Sequence, residues 1–124
     1  MNVNEINVLV LAYLGDSIYE VYVREFLVKK GIANVNDLQT ESIKFVSAKA
    51  QAEILKELID RDYFTEEELT VIKRGRNYKC GRHPNNCDVV TYKYATAFET
   101  LIGYWYMENK KDKIDKMMLE ILKY

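Results

Sequence analysis

Helix breakers are almost missing from this sequence, and that constrains its fold more than anything else. Among 124 residues Pro84 is the only proline, and five glycines leave little room for the turns of a sheet protein. Apolar residues instead recur three and four apart, the spacing of an α-helix. The first helical region runs from about Asn4 to Lys30 and stops at Gly31, with Lys29 and Lys30 in its last turn. Its apolar positions cover nearly the whole circumference, which predicts a central, buried helix. A second region begins at an Asn36-Asp37 cap and extends to about Asp60, with Ile43, Val46, Ala50, Ile54 and Leu58 apolar. Thr65 to Glu68 reads as a capping box that opens a short helix to about Arg76. Residues 77–88 form a loop, a long apolar helix spans roughly Val90 to Glu108, and Asp112 to Leu122 is amphipathic, with Ile114, Met117, Met118 and Ile121 facing inward. The expectation is one all-α domain over residues 1–124, a helical bundle.

The net charge of -1 predicts no nucleic-acid or membrane partner from bulk electrostatics, so any such contact has to come from local asymmetry. Cys80 and Cys87 are too few for a disulfide scaffold, and the N-terminus lacks the basic segment of a signal peptide. Ile6 to Gly15, the longest uncharged apolar run, is too short to span a bilayer. A reducing, cytoplasmic setting follows as the expectation.

Two charges break the apolar pattern. Asp16 is the only charged side chain between Glu5 and Glu20, and Glu99 is the only one from Tyr94 to Met107. A buried carboxylate is costly unless something pairs with it. If the two helices pack side by side, the acids face one another, and they repel unless a proton or cation lies between them. Such an oxygen pair suits Mg²⁺, which keeps several waters and accepts one or two carboxylates. The plainer reading is that each acid pairs with a lysine or arginine, or rotates to the surface. Glu20, one turn beyond Asp16, lies on the same face. The single histidine, His83, excludes a di-iron bundle built on Glu-x-x-His pairs and argues against a zinc hydrolase.

Cations concentrate in Lys73, Arg74, Arg76, Lys79 and Arg82, with no acid until Asp88. The dipole at a helix C-terminus accounts for Lys73, Arg74 and Arg76. It does not account for Lys79 or Arg82, and the cluster is suited to tracking phosphates. Lys44 and Lys49 are weaker candidates. Cys80, His83 and Cys87 supply three zinc-type ligands at most, short of a closed site unless Asp88 serves as a fourth. Tyr13, Tyr19, Tyr94 and Tyr104, all on apolar helices, read as core residues with satisfied hydroxyls.

"LAYLGDSIYEVYVREFL" resembles the Leu-Gly-Asp-Ser motif of ribonuclease III catalytic domains, and "ATAFETLIGYWYM" resembles their second acidic motif. With "VSAKAQAEIL", "FTEEE", "KRGRN" and "TYKYATAFETLIGY" in the same order, the likeness is strongest to the Mini-ribonuclease III family and covers the whole chain. The resemblance implies a homodimeric ribonuclease III-type endonuclease domain that cuts double-stranded RNA with Mg²⁺ and leaves 5′-phosphate ends. Asp16 matches the catalytic aspartate, and Glu99 the metal-binding glutamate. Larger relatives carry acids where this chain has Ala12 and Thr96, which implies looser metal binding with more water. It also implies maturation of precursor 23S ribosomal RNA. With no room expected for a separate RNA-binding domain before Tyr124, grip on the duplex falls to this domain: Lys49, Lys73, Arg74, Arg76, Lys79 and Arg82. The competing readings are a non-catalytic RNA-binding or assembly module of degenerate nuclease fold, and a helical protein-interaction domain.

Overall fold

The structure, a computed structural model, describes residues 1–78 and 88–123. After a short 3-10 turn at Val3–Glu5 come six α-helices: α1 Val8–Lys29, α2 Val35–Val46, α3 Ala48–Asp60, α4 Glu66–Asn77, α5 Val89–Met107 and α6 Lys111–Leu122. No strand occurs among the described residues, and the expected all-α bundle is the fold found. Lys79, Cys80, Arg82, His83, Pro84 and Cys87 lie outside the described residues.

Local chemistry sets the helix ends. The Asn7 side chain accepts from the Leu9 amide to start α1, and Gly31 terminates it with a φ of 91°, the left-handed conformation that glycine adopts without a Cβ penalty. The Thr65/Glu68 capping box of α4 is present in full. Asp88 caps α5 by accepting from the Thr91 amide at 2.9 Å.

The second helical region differs from the expectation. Asn34, not Asn36 or Asp37, caps α2, accepting from the amides of both. The stretch then divides at Ser47, whose extended backbone ends α2 while its hydroxyl accepts from the Ala50 amide to start α3. Apolar periodicity runs across this break, because residues on both sides still cover the same core.

Helix α5 is the axis of the bundle and packs against α1, α3, α4 and α6. Residues 95–98 and 100–105 are all buried. Phe98 meets the Tyr19 ring edge-on at 5.0 Å between centroids. Each such apolar side chain contributes about 1.5–3 kcal/mol by leaving water.

Where α1 crosses α5 the two backbones touch. A Cβ on Gly15 would lie 1.8 Å from the Glu99 carbonyl oxygen, and one on Gly103 would lie 2.0 Å from that of Leu11. Glycine at both positions is what allows the close crossing.

The expectation of a wholly buried α1 is corrected. Leu11, Gly15, Tyr19, Val23 and Phe26 are buried, but on the opposite side Val10 (57 %), Tyr13 (83 %), Val21 (63 %) and Val28 (58 %) are exposed. At 3.6 residues per turn these four fall on one largely apolar face, shared with the exposed Ser17 and Arg24. Tyr13 is therefore not a core residue. Tyr19 and Tyr104 are, with hydroxyls donating to the Phe45 carbonyl at 2.9 Å and to Glu67 at 3.0 Å. Tyr94 is half-buried.

Candidate active site

The crossing of α1 and α5 lies beside an open cleft of about 330 Å³. Helix α1 contributes Leu9, Ala12, Tyr13 and Asp16; α5 contributes Tyr92, Ala95, Thr96 and Glu99; Val46, Ala48 and Gln51 close the side around the Ser47 break. Gly15 and Glu99 are in backbone contact, so Asp16, the next residue, is brought to the same place as the Glu99 side chain. The acids that interrupt the two apolar helices thus share one cavity.

Asp16 is exposed and Glu99 half-buried. Burial first, then the adjacent Asp16 carboxyl, pushes Glu99 up to about 8, with a further upward push from Glu20. A hydrogen bond donated by Gln51 acts the other way. Between the ordinary glutamate range and about 8 the folded chain therefore holds a proton that the unfolded chain releases, and stability falls as pH rises through that window.

The donor set fits a hard divalent cation: two carboxyls that cannot comfortably ionise together, and the buried Gln51 amide oxygen, which has no protein partner. Ala12 and Thr96 line the same cleft, as their place in the motifs requires, and supply no charge. Among the described residues no group of three or more histidine, cysteine, aspartate or glutamate side chains converges. Glu20, left open by the sequence, is tied to Arg24 at 2.7 Å.

The basic residues separate by role. Lys49 and Lys73 are exposed on α3 and α4. Arg74 is half-buried and donates to the carbonyls of Asn4 and Ile6 at 3.3 and 3.5 Å, anchoring the N-terminal turn on α4. Lys44 pairs with Glu41 at 3.1 Å on its own helix. Arg76 lies 6.0 Å from the Tyr94 ring centroid, and Lys56 lies 4.8 Å from the same ring.

Sequence reasoning missed Lys56, whose partnership with Tyr94 and Arg76 joins three helices. It also missed Gln51, although the signal was there. Gln51, Leu55 and Leu58 are buried at helical spacing on α3, so Gln51 is a polar residue in an apolar stripe, the anomaly that drew attention to Asp16.

Fold and cleft together define a class. The Ribonuclease III domain matches this sequence over residues 9–110. Proteins named Mini-ribonuclease 3 match at similar length: the one from Brevibacillus brevis is 46% identical over 115 residues, covering 93% of this chain and 84% of its own. That from Enterococcus faecalis is 41% identical over 114 residues, covering 92% and 86%. A crystal structure of a Fusobacterium nucleatum protein superposes with a TM-score of 0.84 at 34% identity, covering 96% of this chain and 93% of that one. The chain belongs to the Mini-ribonuclease III family, within the ribonuclease III-type endoribonucleases.

Proposed function

We propose that this chain is a Mg²⁺-dependent endoribonuclease that cuts double-stranded RNA as a homodimer, with Asp16 and Glu99 as its catalytic, metal-holding residues. The observation that carries the reading is the meeting of those two carboxyls, 83 positions apart in sequence, in one open cleft. Bound Mg²⁺ would lower the pKa of an attacking water and neutralise charge on the scissile phosphate. The chain's own part is to hold the two carboxyls at a fixed separation. Glu99 and Asp16 would hold the cation from the inner and the exposed side of the cleft, and the cation would bridge the carboxyls to the RNA phosphate. Products would carry 5′-phosphate and 3′-hydroxyl ends. The names of the relatives support this reading, as does the oxygen-rich donor set.

Precursor 23S ribosomal RNA in the cytoplasm is the proposed substrate. No described helix is long and apolar enough to cross a membrane. Duplex RNA offers mainly shape, phosphates and 2′-hydroxyls, which suits the cations Lys49, Lys56, Lys73 and Arg76, joined by Lys79 and Arg82. Arg74 is assigned instead to anchoring the N-terminal turn. Changing Lys73 and Arg76 to alanine is expected to lower the salt slope of duplex binding by about one unit for each phosphate that is no longer neutralised. Fluorescence anisotropy across a salt series measures it, and an unchanged slope places the RNA on a different face.

The exposed stripe of α1 supplies the dimer face. Val10 to Val28 extends about 27 Å along the helix at 1.5 Å per residue. Tyr13 belongs both to this stripe and to the cleft wall, so a second copy docked there by two-fold symmetry would set its own cleft beside the first. Val21→Asp, at an exposed position, is expected to yield a folded monomer in analytical ultracentrifugation. A dimer of unchanged affinity would move the interface elsewhere.

A non-catalytic duplex-binding module is the second reading, favoured by Ala12 and Thr96 where acids are absent from the cleft. Duplex RNA incubated with and without Mg²⁺ and resolved on a denaturing gel decides. Discrete fragments only with Mg²⁺ are expected, whereas binding without cutting would establish the module.

A further inference from the structure

We infer that Gln51 is a positioning residue that holds the Glu99 carboxyl for a divalent cation; this rests on the metal-dependent reading above. The Gln51 side chain is 2 % exposed. Its amide nitrogen donates to the Val46 carbonyl at 3.0 Å and to Glu99 Oε2 at 3.3 Å. The Val46 carbonyl can only accept, so it fixes which end of the amide is the donor. The opposite orientation would set two oxygens against each other.

That orientation has a cost. Gln51 Oε1 is buried and accepts no hydrogen bond from the protein, and leaving such an acceptor unmade is unfavourable. The positions one and two turns along the same buried stripe are Leu55 and Leu58; leucine at 51 would remove the orphan oxygen, though it would also leave the Val46 carbonyl without this donor. The Val46 contact accounts for one hydrogen of the amide, and two properties of the cleft account for the rest of the side chain. The donated hydrogen bond fastens one oxygen of Glu99 and so holds its carboxyl in one orientation. The orphan amide oxygen, on a residue lining the cleft, is a neutral acceptor suited to a water of the cation's hydration shell. Outer contacts of this kind orient ligands and set affinity.

Val46 completes the arrangement. It is the last residue of α2, just before the Ser47 break, so the division of the helix frees the carbonyl that orients Gln51. The amide thereby links the α2–α3 junction to α5 across the cleft floor.

The test uses Mn²⁺ alone as probe, with free Mn²⁺ measured by electron paramagnetic resonance in the absence of RNA. Gln51→Leu is expected to weaken Mn²⁺ binding by about tenfold in a chain that still folds cooperatively. In turnover, kcat should fall and the KM for duplex RNA should stay unchanged. Gln51→Met, which keeps the length of the side chain, serves as a second variant should leucine prevent folding, with the same outcome expected. Folded Gln51 variants that bind Mn²⁺ as tightly as the wild type overturn the inference and leave the metal-dependent reading intact. A wild-type protein that binds no Mn²⁺, or an Asp16→Asn, Glu99→Gln double variant that binds it normally, overturns both.

Discussion

Asp16→Asn is expected to leave a folded chain that still binds duplex RNA but cuts it at least about a thousandfold more slowly. Such a loss corresponds to about 4 kcal/mol at 1.36 kcal/mol per decade, within what charge stabilisation by a bound metal supplies. Folding should be spared because Asp16 is exposed, and substitutions at such positions usually change stability by about 0.5 kcal/mol or less. The exchange also has a signature in stability. Removing the carboxyl beside Glu99 lowers its raised pKa part of the way and leaves burial, the larger cause, in place. The metal-free variant should therefore lose less stability than the wild type as pH rises from the ordinary glutamate range toward about 8. Gel-based turnover and melting curves in chelator read the two effects. Turnover like that of the wild type would remove Asp16 from the mechanism.

Gly103→Ala should be severely damaging for a single added methyl, as Gly15→Ala should be on the facing helix. Its Cβ would lie 2.0 Å from the Leu11 carbonyl oxygen, and that oxygen belongs to a helix backbone with no rotamer to change. Helix α1 would have to move off α5, opening the packing around Leu11, Tyr19 and Phe98, all essentially inaccessible to solvent. Overpacking usually costs about 1–3 kcal/mol, and a clash with backbone belongs at or above the top of that range. A circular-dichroism melt should show a shift of many degrees or no cooperative transition. Unchanged melting would mean the helices do not touch here.

The helices were legible because their causes are local: the Thr65 capping box, Gly31 after α1, and apolar spacing through α5 and α6. The Ser47 break was not, since a serine that ends one helix and caps the next leaves the apolar period undisturbed. The end of α1 was legible, but not its start, which falls at Val8 and not near Asn4, nor its orientation. An all-round apolar helix reads the same whether all of it faces a core, or one side faces a core and the other is exposed. Only the placement of Leu11 against Tyr13 separates these cases.

The candidate site was legible for the opposite reason. Asp16 and Glu99 stand out as charges where the pattern calls for apolar residues, and the family motifs enclose both. Gln51 has the same kind of misfit, but an uncharged amide in a helix with polar faces draws less notice. Whether a cation is free to meet phosphate depends on neighbours remote in sequence. Arg74 reaches back to Asn4 and Ile6, while Lys56 and Arg76 come together over Tyr94.

The glycine crossing has a consequence for where the two acids sit. Side-chain packing can relax by rotamer changes, but two main chains already touching act as a rigid calliper. The Cα positions from which Asp16 and Glu99 reach the cleft are then set by peptide geometry and not by the packing of the interior. Shifting the two acids apart along the backbone would mean rebuilding the junction of the two longest helices.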